Sequence, residues 1–144
     1  MDKYLNKVFH LSGHYYFVAV KSSKGRYLVL NFTTDRSGHT KDYCYVELEE
    51  MKQILHPARH PNFYKNHDQA SYIKFTEARP VNSNFLDAFL SSTPEIVPEH
   101  LHLLERIEKY LLHHVNAKDF ALPEDYTEEF FPKVWAKRHS SNAD

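Results

Sequence analysis

Apolar positions in the first half of the chain alternate or run in short blocks, and in the second half they recur every three or four residues. The densest block is residues 26–34, where Tyr27, Leu28, Val29, Leu30 and Phe32 precede the hydroxyls Thr33 and Thr34. β-branched and aromatic residues on both faces predict a central strand covered on both sides. Before it, residues 14–20 hold five strand-favouring residues of seven, and a short polar connection containing Gly25 makes the two a hairpin. Ser12 and Gly13 read as the turn that starts this first strand. Residues 35–42 form a polar loop before a shorter third strand at 43–46, and Ile73 and Phe75 alternate with Tyr72 and Lys74 in a fourth at 70–75. The latter continues to Val81 as an extended edge, because Pro80 biases Arg79 away from helix.

Helical spacing appears first at 47–55, where Leu48, Met51 and Leu55 share a face and Pro57 ends the run. Residues 56–67 follow as a long irregular segment with three histidines, and 84–90 as a short helix. The strongest helical pattern runs over 99–115, with Pro98 at a first helical position and a stripe of Leu104, Ile107, Leu111 and Val115 widened by Leu101 and Leu112. Glu105 and Lys109 are spaced to pair on its exposed face. A further helix is expected from Pro123 to near Pro132, and residues 138–144 are expected to fray. The expected architecture is α+β: a curved antiparallel sheet of the SH3-like barrel kind at about 12–90, with helices of about 94–132 packed on it in one domain.

Composition narrows the function classes. A length of 144 residues suits one core. A formal charge of −1 means that a nucleic-acid partner would need a local basic patch. The single cysteine, Cys44, excludes an internal disulfide and a multi-cysteine zinc site, and its place in a strand between tyrosines reads as core packing. There is no leader-like apolar segment at the start and no later apolar run of about 18 residues, so a cytoplasmic protein without a membrane partner is expected.

Eleven histidines invite a search for chemistry. His56 and His60 have the spacing of a helical zinc pair, but Pro57 breaks that helix and no third ligand can be named; neither metal nor cofactor is expected. His10 and His14 have the same spacing across a loop and a strand, and His113 and His114 point apart on a helix, so both pairs read as surface residues. A more promising set is His14 at the head of one strand, Thr33 and Thr34 at the end of the next, and Lys74 and Arg79 on or after the fourth. In a curved sheet these meet, and they supply what RNA cleavage through its own 2′-hydroxyl needs: a base, an acid and donors for the charged phosphorane. The bland alternative is that the threonines end a strand and the cations are its solvated face.

The run Leu28 to Thr33, and the run that starts at Ser71 and continues through Lys74 to Arg79, resemble strands of the MazF/PemK family of small barrel toxins, which are sequence-preferring endoribonucleases. The resemblance covers roughly residues 12–90. It implies an SH3-like barrel and a metal-independent endoribonuclease of a toxin–antitoxin system, with RNA as substrate, an antitoxin protein as partner and a homodimer as the assembly. Thr33 matches the family's catalytic threonine. Where the family has its catalytic arginine this chain has Gly13 and His14, so either His14 stands in as acid or base or the site is inert. The expected catalytic set is thus His14, Thr33 and Arg79, with Thr34, Arg36, His60, His67 and Lys74 binding substrate. The competing expectation is a non-catalytic module that holds a protein or nucleic-acid partner through exposed tyrosines and the histidine-rich segment.

Overall fold

The computed structural model describes residues 2–33, 44–65, 70–118 and 120–140. Among these residues six strands form one antiparallel sheet: β1 (Lys7–Leu11), β2 (His14–Lys21), β3 (Tyr27–Thr33), β4 (Tyr45–Val46), β5 (Ser71–Val81) and β6 (Glu95–Ile96). Their order is β4-β5-β3-β2-β1-β6, and the sheet curls into a half-barrel. The helices are α1 (Leu48–Ile54), α2 (Pro61–Lys65), α3 (Ser83–Phe89), α4 (Leu103–His113), α5 (Glu124–Phe130) and α6 (Pro132–Arg138). Helices and an antiparallel sheet share the core, which makes the protein α+β.

Strand β3 lies inside the sheet between β2 and β5, and its alternating side chains enter two apolar clusters. Leu28, Leu30 and Phe32 join Met51 and Ile54 of α1, Ile107 and Leu111 of α4, and Phe130 and Val134 of α5 and α6. Tyr27 and Val29 turn to the other face, where Leu86 of α3 closes a smaller cluster with Phe9, Tyr16 and Val18. Each fully buried Leu or Ile is worth about 1.5–3 kcal/mol, so both layers contribute to holding this strand.

The architecture departs from the sequence expectation at the far edge of the sheet, after Pro57 and in the C-terminal helices. A strand, β1, precedes the Ser12-Gly13 turn and pairs Val8 with Phe17 and Leu11 with His14, and β6 joins its far edge. The sheet therefore extends outside residues 12–90. The segment after Pro57 is not wholly irregular, because Pro61 starts α2. As expected of the fourth strand and its extended continuation to Val81, residues 71–81 form one strand paired along β3, with Tyr27 opposite Val81 and Thr33 opposite Tyr72 around an irregularity between Val29 and Asn31.

The helix expected over 99–115 is divided. Pro98 starts a 3-10 turn, Glu99–Leu101, and His102 takes a left-handed conformation at φ 51° before α4 begins. That break rotates the buried stripe to Leu103, Ile107 and Leu111, leaving Leu104 39% exposed. Arg106 of α4 then forks onto Glu50 of α1 at 2.9 and 3.2 Å and reaches the Tyr45 carbonyl at 2.6 Å, joining two helices to the sheet edge.

Near the C-terminus Pro132 opens α6 as well as closing α5. Arg138 does not fray: it donates to Glu124 at 2.6 Å and to the Val115 carbonyl. The rest of the segment expected to fray, from residue 141 on, lies outside the described residues. Among the described residues no helix is long and apolar enough to cross a membrane.

Candidate functional site

A two-residue turn builds the site. Ser12 and Gly13 both have positive φ, 52° and 84°, the geometry that lets a tight hairpin follow the right-handed twist of its strands. The space beside Gly13 is open, but its φ disfavours any side chain there. This turn sets His14 opposite Leu11 and Tyr15 opposite His10. Both histidines are exposed, and the His10 ring lies 4.7 Å from that of Tyr15.

His10, His14 and Thr33 line one cleft of about 440 Å³, with Phe32 beside them and Asn62 and Phe63 of α2 on the far wall. The register explains the meeting. Tyr16 pairs with Asn31, so His14 and Thr33 reach the same end of neighbouring strands. His10 comes in across the hairpin. Sequence reasoning set His10 aside as a surface residue because it missed β1. The signal was there in Ser12-Gly13, a two-residue turn flanked by Val8 and Phe9 on one side and Tyr16 and Phe17 on the other.

The other expected residues divide between neighbouring regions. Lys74 sits opposite Asn31 on β5 and pairs with Glu77 at 2.8 Å. Arg79 is exposed opposite Val29, four residues along β3 from Thr33, which is ~13 Å at the usual strand rise. It is thus at the other end of the sheet from the cleft. Thr34, Arg36 and His67 lie outside the described residues.

His60 lines an adjoining chamber of about 380 Å³, which shares His10 and Tyr15 with the first cleft. Its Nδ1 lies 3.2 Å from the Tyr15 hydroxyl. Its Nε2 is buried and has no hydrogen bond among the described residues; it lies 3.5 Å from Oε1 of Glu95, an ion-pair separation only. Glu95 is held by Arg59 at 3.0 Å. Burial, with the Glu95 charge adding to it, raises the Tyr15 pKa, so its phenol keeps its proton at neutral pH.

His56 does not share a helical face with His60, because residues 57–59 form a turn in which the Ala58 amide donates to His56 Nδ1 at 3.2 Å. Among the described residues no three histidine, cysteine or carboxylate side chains converge as a metal site would require. Cys44 is buried, and burial pushes its thiol up to about 12, which makes it a packing residue. Beside it Lys109 and His113 of α4 line a third cleft of about 350 Å³.

The arrangement around the first cleft offers two imidazoles for proton transfer, a hydroxyl donor, and the rings of Phe32 and Phe63 as apolar walls. Compared with protein-family models, with curated proteins and with solved structures, the chain matches none.

Proposed function

We propose that the cleft between the β1–β2 hairpin, the end of β3 and α2 binds RNA and cleaves it through the RNA's own 2′-hydroxyl, without a metal, as in a toxin-like endoribonuclease of the MazF/PemK kind on an SH3-like barrel. The observation that carries the reading is that His10, His14 and Thr33 line one cleft. One imidazole removes the 2′ proton as that oxygen attacks phosphorus. The other returns a proton to the departing 5′ oxygen, leaving a 2′,3′-cyclic phosphate and a free 5′-hydroxyl. Thr33 offers a hydroxyl as donor for the charge that develops on the phosphorane oxygens. Phe63, on the facing helix, offers a ring on which a base stacks.

Lys109, at the third cleft, supplies a local positive charge on a chain whose overall charge is −1. The same reading brings an antitoxin protein as the partner that blocks the cleft, and a homodimer as the assembly.

The test is incubation of the purified protein with a mixed RNA pool in chelator, beside His10→Ala, His14→Ala and Thr33→Ala. Loss of an acid or a base lowers the rate by about 10²–10⁴-fold. Cleavage that ends in cyclic phosphates and falls in the histidine variants supports the assignment. No cleavage, or equal cleavage by all four proteins, overturns it. Binding of RNA without cleavage would leave the non-catalytic module as the function. Induced expression that leaves growth unchanged would remove the toxin part of the reading.

A further inference from the structure

We propose that the chamber beyond Tyr15 is a nucleobase subsite that selects guanine, an assignment resting on the RNA reading above for its ligand class. The chamber of about 380 Å³ is continuous with the first cleft through the shared residues His10 and Tyr15. A strand whose phosphate lies against His14 and Thr33 therefore has a neighbouring cavity of ligand-pocket size for the adjoining base.

The chemistry of its walls excludes a second phosphate. Glu95 and Arg59 pair at 3.0 Å, so their charges offset, and among the described residues no lysine or arginine lines the chamber. Phosphate would instead meet the Glu95 carboxylate. The chamber carries the hydroxyls of Ser91 and Thr93, a carboxylate acceptor at Glu95, whose Oε1 lies 3.5 Å from the buried His60 Nε2, and a ring at Phe89 that is 43% exposed. Arg59 holds the other carboxylate oxygen, Oε2. Tyr15 and Arg59 thus hold the two side chains through the other atom of each, Nδ1 of His60 and Oε2 of Glu95.

An ionised carboxylate accepts and cannot donate. Guanine presents two adjacent donors on its Watson–Crick edge, the ring N1–H and the exocyclic amine, and a carboxylate can accept from both. Adenine and cytosine place a ring lone pair next to their amine, which would face the same oxygens. Uracil offers one N–H between two carbonyls. Three of the four bases therefore bring an acceptor against Glu95, and a site rejects such a base through the unpaired polar group it leaves. Phe89 stacks on whichever base enters, adding affinity without choosing.

The experiment uses fluorescein-labelled 2′-O-methyl hexanucleotides, which cannot be cleaved, and reads Kd by anisotropy. An oligoadenylate carrying one central guanine should bind roughly 10–100-fold tighter than the all-adenine strand, the discrimination typical of a paired contact. Glu95→Gln should abolish that ratio, since the new amide donates where guanine donates. Phe89→Ala, at an exposed position outside the core, should weaken both strands while keeping the ratio. Equal binding of the two strands by the wild type, or an unchanged ratio in Glu95→Gln, overturns the subsite. Guanine preference without cleavage of ordinary RNA would overturn the ribonuclease reading and leave the subsite standing; cleavage without guanine preference would do the reverse.

Discussion

The Tyr15 hydroxyl lies 3.2 Å from Nδ1 of His60, so a strand residue that walls both cavities also fixes the imidazole behind them. The opposite ring nitrogen faces Glu95. A carboxylate only accepts, so of the two neutral tautomers the one with its proton on Nε2 suits Glu95 and leaves Nδ1 to accept from the phenol. Tyr15→Phe keeps the ring contacts with His10, His60 and Phe63 and removes only this donor. The variant should fold with a loss of about 0.5–1.5 kcal/mol in urea denaturation. Side-chain nitrogen NMR should show His60 as the Nε2–H form in the wild type and a mixture in the variant. An Nδ1–H signal in the wild type would contradict the arrangement.

Acid should loosen the joint between the β2–β3 hairpin and α5. Glu129 accepts from Arg26 Nε at 3.0 Å and from Ser22 Oγ at 2.8 Å, and its side chain is 7% exposed. The Arg26 hydrogen bond, supported by Ser22, holds the carboxyl down at about 2 against an ordinary 4.5. A depressed carboxyl stabilises the fold above the unfolded value, and that contribution is lost as pH falls from about 4.5 towards 2, where the unfolded chain takes up the proton first. Glu129→Gln should cost about 1–2 kcal/mol at pH 7, low in the range for charged hydrogen bonds because Arg26 is half in solvent. The variant should also flatten the decline of the melting temperature over that acid window. Parallel decline in wild type and variant would show that the pair does not set the acid response.

What could be read from residues alone follows from how far each signal reaches along the chain. The block from Tyr27 to Phe32 announces a strand covered on both faces because its own side chains demand it, and β3 fills both apolar clusters. The cleft depends instead on pairing between segments. His10 is unremarkable until β1 is recognised, and β1 has a weak pattern of its own, with His10 and Lys7 among its five residues. Glu95 was equally hidden, since a two-residue strand such as β6 carries no periodicity and exists because β1 offers an edge. The division of the long helix was concealed for another reason. A left-handed His102 is a local backbone event that helical spacing, read over a wide window, averages away.

Asn31 raises a question about the balance of stability and function. It is fully buried in β3, between Tyr16 of β2 and Lys74 of β5, and among the described residues neither atom of its side-chain amide has a hydrogen-bond partner. Burying such a group costs about 1–3 kcal/mol relative to an apolar side chain of similar size. A β-branched replacement also suits an interior strand. Asn31→Val should therefore raise stability by about 1–2 kcal/mol, read as a higher urea midpoint with an unchanged slope. Asn31 alternates with Thr33 along the strand and so shares its face of the sheet. If the valine protein is more stable and cuts RNA as fast as the wild type, the amide is a defect of packing that selection has tolerated. A stabilised protein with weakened RNA binding would place the amide in the substrate path, retained there at the expense of the fold. A less stable valine protein would contradict the unpaired state of the amide itself.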